Sequence, residues 1–238
     1  MMNFIAKLDG QKLREKHKFL AKVGVLAQRF IGNLLRNRRW LISTAKLSAR
    51  SLVNIGCGRN ILADFINIDY QWRPGVDICW DLRKSLPLRS ESIEGIFTEH
   101  CLEHVDFDVC MKALSEFFRI LKRDGRVRIV VPDAEMYIDL YSRSKRGEVV
   151  AFPYIGSNQS TLSERECQVG FSPIMAVNSI FRDHQHRFAY DFETLANMLR
   201  HVGFKKVERA AYGQGGARSL LVDSEWRAIE SLYLEAIK

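Results

Sequence analysis

From Gln11 to about Leu41 the apolar positions step along the chain at a helical period. Phe19, Val23, Leu26, Phe30 and Leu34 recur every three or four residues, and Leu20, Ala27, Ile31 and Leu35 widen the stripe. Beyond Ser51 the pattern changes to short apolar runs cut by turn residues. Leu52–Ile55, Phe65–Ile68, Val76–Trp80 and Ile93–Phe97 read as buried strands. A fifth, Val127–Val131, leaves the Asp124-Gly125 turn and stops at Pro132. Helical spacing returns from about Asp106 to Lys122, from Ala134 to Tyr141, and from Asp191 to His201, where Gly203 is the C-terminal stop. Lys206–Ala211 and Leu232–Ala236 read as two closing strands around the glycine-rich Gly213-Gln-Gly-Gly216. Strands alternating with helices predict a mostly parallel sheet covered on both faces, and the closing pair predicts one antiparallel member. The expected fold class is an α/β sandwich on a seven-stranded sheet, preceded by a helical extension.

Charge changes the picture at the N-terminus. The 238 residues carry a net +8, yet residues 1–50 hold 12 Lys+Arg against 2 Asp+Glu. The other 188 hold 24 against 26, so all the excess positive charge lies in the first fifth of the chain. Lys12, Arg14, Lys16, Lys18, Lys22 and Arg29 occupy the polar faces of the first helix, which ends on Arg36, Arg38, Arg39 and Trp40. Such a helix lies on an anionic membrane surface, packs its stripe on the following domain, or pairs with a second copy of itself.

The apolar fraction, 47%, is ample for a buried core. Five cysteines (Cys57, Cys79, Cys101, Cys110, Cys167) form no CxxC pair and sit largely in apolar runs. They read as reduced thiols of a cytosolic protein. No leader pattern and no uncharged apolar run long enough for a membrane span is expected.

In open α/β sheets the ligand sits outside the carboxyl ends of the strands. In order those ends are Gly56-Cys57-Gly58, Asp69, Asp81-Leu82, Thr98-Glu99-His100 and Pro132-Asp133. Glycines let a backbone approach a nucleoside, and an acid at the next strand end takes its ribose hydroxyls. Four of the five ends carry a carboxylate. Burying unpaired carboxylates is costly, so hydroxyl and amino partners are expected there.

On these residues the chain resembles the class I S-adenosylmethionine-dependent methyltransferases, well over residues 50–135 and in pattern over Phe204–Ala236. The resemblance implies a Rossmann-like methyltransferase sandwich and S-adenosylmethionine as cofactor. It implies that Asn54-Ile-Gly56-Cys57-Gly58 holds the methionine end, that Asp69 with Tyr70 beside it takes the ribose, and that Asp81 and Leu82 read the adenine. Glu99 is expected at the cofactor as well. The segments Ser92–Val105 and Leu121–Asp133 resemble a type-11-like bacterial subgroup, which implies surface-polysaccharide synthesis. Residues 1–50 are then a basic amphipathic extension, and residues 51–238 the cofactor-binding domain with a lid insertion at about 135–190.

Two departures stand out. Only eleven positions separate Gly58 from Asp69, so the first crossover helix is expected to be shortened or replaced by a loop. Asn60 stands where a third glycine is usual, and Asn54 where many relatives carry an acid.

Methyl transfer to a hydroxyl needs a group that takes its proton. His184 and His186, in Arg182–Asp191 at the end of the insertion, are the leading candidates, with Asp133 and His100 behind them. Each histidine has a structural alternative, and Asp191 is expected to cap the helix that follows. His100 and His104 stand at metal-binding spacing, but Glu103-His104 reads better as a helix start, so no metal is assigned. Tyr137, Tyr141, Phe152, Tyr154 and Phe171 either stack on a sugar or fill a small core under the lid.

The expected activity is O-methylation of a saccharide or glycan precursor, in the cytoplasm or at the inner membrane face. Another small acceptor at the membrane, a lipid or quinone, is the runner-up, and a non-catalytic cofactor-binding protein is the reading from another class. Nucleic acid ranks below these, because Thr98-Glu-His-Cys101 is not the type of segment that holds a flipped base.

Overall fold

Seven strands form one sheet in the order β3-β2-β1-β4-β5-β7-β6, with β7 antiparallel to both neighbours and every other pairing parallel. The computed structural model describes residues 24–42, 49–153 and 170–238. The first part of the predicted N-terminal helix, with Phe19, Leu20 and Val23, lies outside the described residues, as do Tyr154 and Cys167. The strands are β1 (Leu52–Ile55), β2 (Phe65–Asp69), β3 (Ile78–Cys79), β4 (Ile93–Glu99), β5 (Leu121–Pro132), β6 (Lys205–Ala210) and β7 (Ser231–Ile237). Helices are α1 (residues 24–35), α2 (Phe107–Ile120), α3 (Ala134–Lys145), α4 (Pro173–Arg182) and α5 (Phe192–Val202).

Alternation along the strands splits the sheet into two unlike faces. Val53, Ile55, Ile96, Val127 and Ile129 point into one core, filled by Leu114 and Phe117 of α2 and by Leu195 and Leu199 of α5. α5 begins as expected, with Asp191 accepting from the Thr194 N–H at 2.8 Å, and ends at Gly203 in a left-handed conformation.

The opposite face departs from the expectation of helices on both sides. Phe65, Phe97, Val130 and Tyr233 are covered by Leu220 and neighbouring loop residues, not by a crossover helix. Between β1 and β2 the chain runs as turns with no helix, as the short spacing predicts. A loop lacks the internal hydrogen bonds of a helix, and two buried side chains supply them instead. Asn54 donates to the Asn60 carbonyl at 2.8 Å and to the Asn67 amide oxygen at 3.1 Å. Asn67 bonds both the N–H and the carbonyl of Leu62, at 3.0 and 2.8 Å. Asn54 is 2% exposed, and both N–H groups of its side chain are spent on holding the loop.

Arg128, in the middle of β5, is wholly buried on this face. Its five N–H donors all find acceptors. Asp223 takes two (2.7 and 2.5 Å), Glu235 one (2.9 Å), and the carbonyls of Ala211 and Gln214 the others. The glycine-rich loop closes over this pair, and a Cβ at Gly215 would lie 2.0 Å from the Glu235 carboxylate. That close approach is why glycine stands there.

The end of α1 docks at the edge of the sheet. Gly32 is buried; the Asn37 N–H donates to the Cys79 carbonyl at 3.1 Å, and Asp81 N–H donates to the Asn37 side chain at 3.0 Å. Arg36 donates to the Tyr70 carbonyl at 2.9 Å and lies 3.7 Å over the Tyr70 ring. Among the described residues the middle of the stripe is exposed, Leu26, Phe30 and Leu34 by 63%, 65% and 54%, while Ile31 and Leu35 at its edge are half-buried. The contact is made by the flank around Gly32, so over the described residues Leu26, Phe30 and Leu34 do not pack on the domain. No described helix is long and apolar enough to cross a membrane.

In the insertion α3 and α4 form a helical pair with its own small core of Ala134, Tyr137, Phe152, Ala176 and Ile180. Tyr137 and Phe152 thus fill a core, while Phe171 is half-exposed with its ring 5.7 Å from that of Phe152.

Candidate active site

The glycine turn leaves β1 with Gly56 at φ 68° and Gly58 at φ 53°, a conformation that a side chain resists. The N–H groups of Gly56 and Cys57 both reach back to the Ile68 carbonyl, at 2.8 and 3.1 Å. Asp69 then holds the turn from the end of β2. Its carboxylate accepts from the Gly58 N–H at 2.8 Å and from the Gln71 N–H at 2.7 Å. A Cβ on Gly56 would lie 2.2 Å from the Cys101 sulfur, whereas one on Gly58 would meet nothing nearer than 3.9 Å. The turn is packed tight behind and open in front. Cys57 is buried, which pushes its thiol up to about 12 and leaves it a small apolar wall.

At the end of β3 the Asp81 carboxylate is gripped by the Arg83 guanidinium at 2.6–3.0 Å. Burial pushes this acid up, and the Arg83 hydrogen bonds outweigh it and hold it below the usual carboxylate range. Leu82 packs against the core beside it. Glu99, expected at the cofactor, has both oxygens on Ser224, at 2.8 Å from its N–H and 2.5 Å from its hydroxyl. That bond fastens the segment after the glycine-rich loop across the end of β4.

Beyond β4 and β5 lies a cavity of about 510 Å³ lined by His100, Glu103, His104, His184, His186, Tyr137, Trp226 and Arg227, among others. His100 has φ 47°, donates its backbone N–H to the Val130 carbonyl at 2.8 Å and shares a 2.8 Å bond between Nε2 and the Ser231 hydroxyl. Burial pushes its imidazole down to about 2, so it stays neutral and is a weak base. Burial also lowers His104, to about 4, and His186, whose Nδ1 lies 2.7 Å from the Ile180 carbonyl. His184 and His186 do not share a face of an extended chain. They flank a tight turn with His184 at φ 54°, which brings their rings to 5.9 Å. His104 and His186 are closer, 5.0 Å edge to face.

Three of the four expected proton acceptors therefore meet in one place, and Asp133 does not. It caps α3, accepting from the Met136 N–H at 3.2 Å, with Arg209 3.9 Å away. Contrary to expectation, Glu103-His104 does not start α2. Asp106 is the first-turn flank of α2, while Glu103 sits in a separate turn, Leu102–His104, with a carboxylate 1% exposed. Burial pushes that carboxyl up to about 8. The His100-x-x-Glu103-His104 spacing was the available clue. Nothing in the sequence announced Trp226 or Arg227, which arrive from the far end of the chain.

A glycine turn and acids at successive strand ends, on a mostly parallel sheet closed by one antiparallel strand, define the Rossmann-like methyltransferase fold. Residues 63–129 match the family described as "Methyltransferase domain", a stretch that includes Asp69, Asp81 and His100. No curated protein sequence matches the chain. Among solved structures it is similar to a SAM-dependent methyltransferase from Archaeoglobus fulgidus, with 16% identity over 93% of this chain and 99% of that one and a TM-score of 0.49. It is also similar to the 1,6-didemethyltoxoflavin-N1-methyltransferase of Burkholderia thailandensis, with 15% identity over 99% and 89% of the two chains and a TM-score of 0.42.

Proposed function

We propose that the chain methylates a hydroxyl of a small acceptor with S-adenosylmethionine, and that the acceptor is a saccharide or glycan precursor. The observation that carries this reading is the adjacency, across the ends of β1, β2, β4 and β5, of an open glycine turn and a cavity walled by imidazoles. The cofactor fits the residues present. Gly58 leaves open space where a side chain would stand, and the Asp69 carboxylate, which holds the turn beside it, is assigned the ribose hydroxyls. S-adenosylmethionine, when bound, supplies the methyl group and a good leaving group. The chain's own task is to orient the acceptor and take its proton. His184 is assigned that proton, because it lines the cavity, whereas burial makes His100 a weak base and lowers His186, whose Nδ1 is engaged by the Ile180 carbonyl. Trp226 brings an aromatic ring of the kind that packs on sugars, with the Arg227 guanidinium 4.1 Å over it, and Asp183 and Glu230 add carboxylates to the cavity wall.

His184→Asn is expected to lower turnover by about 100-fold, the usual worth of a general base, while cofactor affinity is unchanged. Radiolabelled methyl transfer over a panel of nucleotide sugars and glycans, with calorimetry alongside, measures both. Equal loss of binding and turnover removes His184 from the base role.

A peripheral membrane location is favoured by a separate observation. Val25, Leu26, Phe30 and Leu34 of α1 are exposed, with Arg29, Arg36, Arg38 and Arg39 beside them. The chain is expected to float with vesicles rich in anionic phospholipid, and Leu26→Glu with Phe30→Glu and Leu34→Glu to abolish flotation without unfolding the domain. Identical flotation of both proteins contradicts membrane contact through this helix.

A further inference from the structure

We infer that Glu103, His104 and His186 form a binding site for one divalent transition-metal ion of the zinc class, in the wall of the cavity. One ligand atom from each residue can be chosen so that all lie within 4.8 Å of one another. Glu103 Oε1 and His104 Nε2 are 3.7 Å apart. Two ligands of a tetrahedral zinc ion, each about 2.0–2.1 Å from the metal, stand roughly 3.4 Å apart, so a small rotation of these side chains closes the set.

The second observation is independent of that spacing. The Glu103 side chain is 1% exposed, and neither of its oxygens has a hydrogen-bond partner among the described residues. Buried carboxylates are paired or bound to metals, because an unpaired one forfeits its hydration. His100 Nδ1 and His104 Nε2 stand 3.6 and 3.7 Å from its Oε1. Both exceed hydrogen-bonding distance, and both leave the carboxylate facing imidazole nitrogens.

The surroundings match what metal-bound histidines need. His186 Nδ1 donates to the Ile180 carbonyl at 2.7 Å, which fixes its proton there and leaves the Nε2 lone pair for a ligand bond. His100, anchored through Nε2 to Ser231, turns its Nδ1 toward Glu103 at 3.6 Å. Arg227 also lines the cavity but makes no ion pair with Glu103 among the described residues. Two imidazoles and one carboxylate suit zinc and its neighbours, whereas calcium and magnesium take oxygen ligands. Three protein ligands leave a coordination position open to the cavity, as in catalytic zinc sites. There the ion would lower the pKa of a bound hydroxyl. That catalytic use rests on the methyl-transfer reading; the site itself does not.

The test uses the full chain, stripped with chelator and titrated with Co2+ alone, followed by visible absorption and then by displacement with Zn2+. One equivalent is expected, with the ligand-field bands of an oxygen and nitrogen site and no thiolate charge-transfer band. Glu103→Gln and His104→Asn are each expected to weaken binding by at least about tenfold, and His201→Asn, on α5, to leave it unchanged. The exposed ring of His104 makes its substitution the one that keeps the fold. Absence of saturable binding below millimolar Co2+, a thiolate band, or equal affinity in all variants overturns the site. None of these readouts depends on S-adenosylmethionine, so failure here is separate from failure of the methyl-transfer reading.

Discussion

Asp69→Ala is expected to weaken binding of S-adenosylhomocysteine by about a hundredfold. A carboxylate at the ribose position makes two charge-assisted hydrogen bonds worth roughly 1.5–3 kcal/mol each, and the low end of their sum, about 3 kcal/mol, corresponds to roughly a hundredfold. The same carboxylate holds the glycine turn through the Gly58 N–H at 2.8 Å, so its loss also loosens the surface the cofactor meets. Asp69→Asn keeps an acceptor but loses the charge, and roughly tenfold is expected there. Calorimetric titration measures all three proteins. Unchanged affinity in Asp69→Ala would mean that the ligand, if any, lies elsewhere.

The largest expected effect on stability comes from Gly56→Ala, about 3 kcal/mol or more. Two causes combine. A residue with a Cβ at φ 68° costs roughly 1–2 kcal/mol, and overpacking costs roughly 1–3 kcal/mol more. The overpacking has a specific partner, since the new Cβ would lie 2.2 Å from the Cys101 sulfur and 2.5 Å from its Cβ. Cys101→Gly removes both atoms. In that background Gly56→Ala should cost only the backbone part, and urea denaturation of the four proteins isolates the difference. An identical cost in both backgrounds would show that Cys101 is not the obstacle.

Much of the sheet was legible because buried parallel strands announce themselves as short apolar runs. Leu52–Ile55 was read with its observed bounds, and the missing helix after it followed from the spacing of Gly58 and Asp69. What could not be read are pairings that cross the chain. Arg128 looks like a polar interruption of β5 until Asp223 and Glu235, 95 and 107 positions away, surround it. Glu99 stands at a strand end like the other acids, yet its partner is Ser224. Asn54 departs from the usual acid for a reason visible only in space, because the loop that replaces the helix needs its amide. At the candidate site the histidines were found and Glu103 was not, since its turn precedes α2 and looks like a cap. For α1 the period revealed an apolar stripe, but not that the helix would dock by its Gly32 flank and leave that stripe outside.

The central claim is that the turn from Gly56 to Gly58, with Asp69, is an S-adenosylmethionine site. Titration of the full chain with S-adenosylmethionine in a calorimeter tests it most directly. The account predicts one saturable site with a roughly micromolar dissociation constant, an affinity of about −8 kcal/mol. No heat of binding up to millimolar cofactor would contradict it.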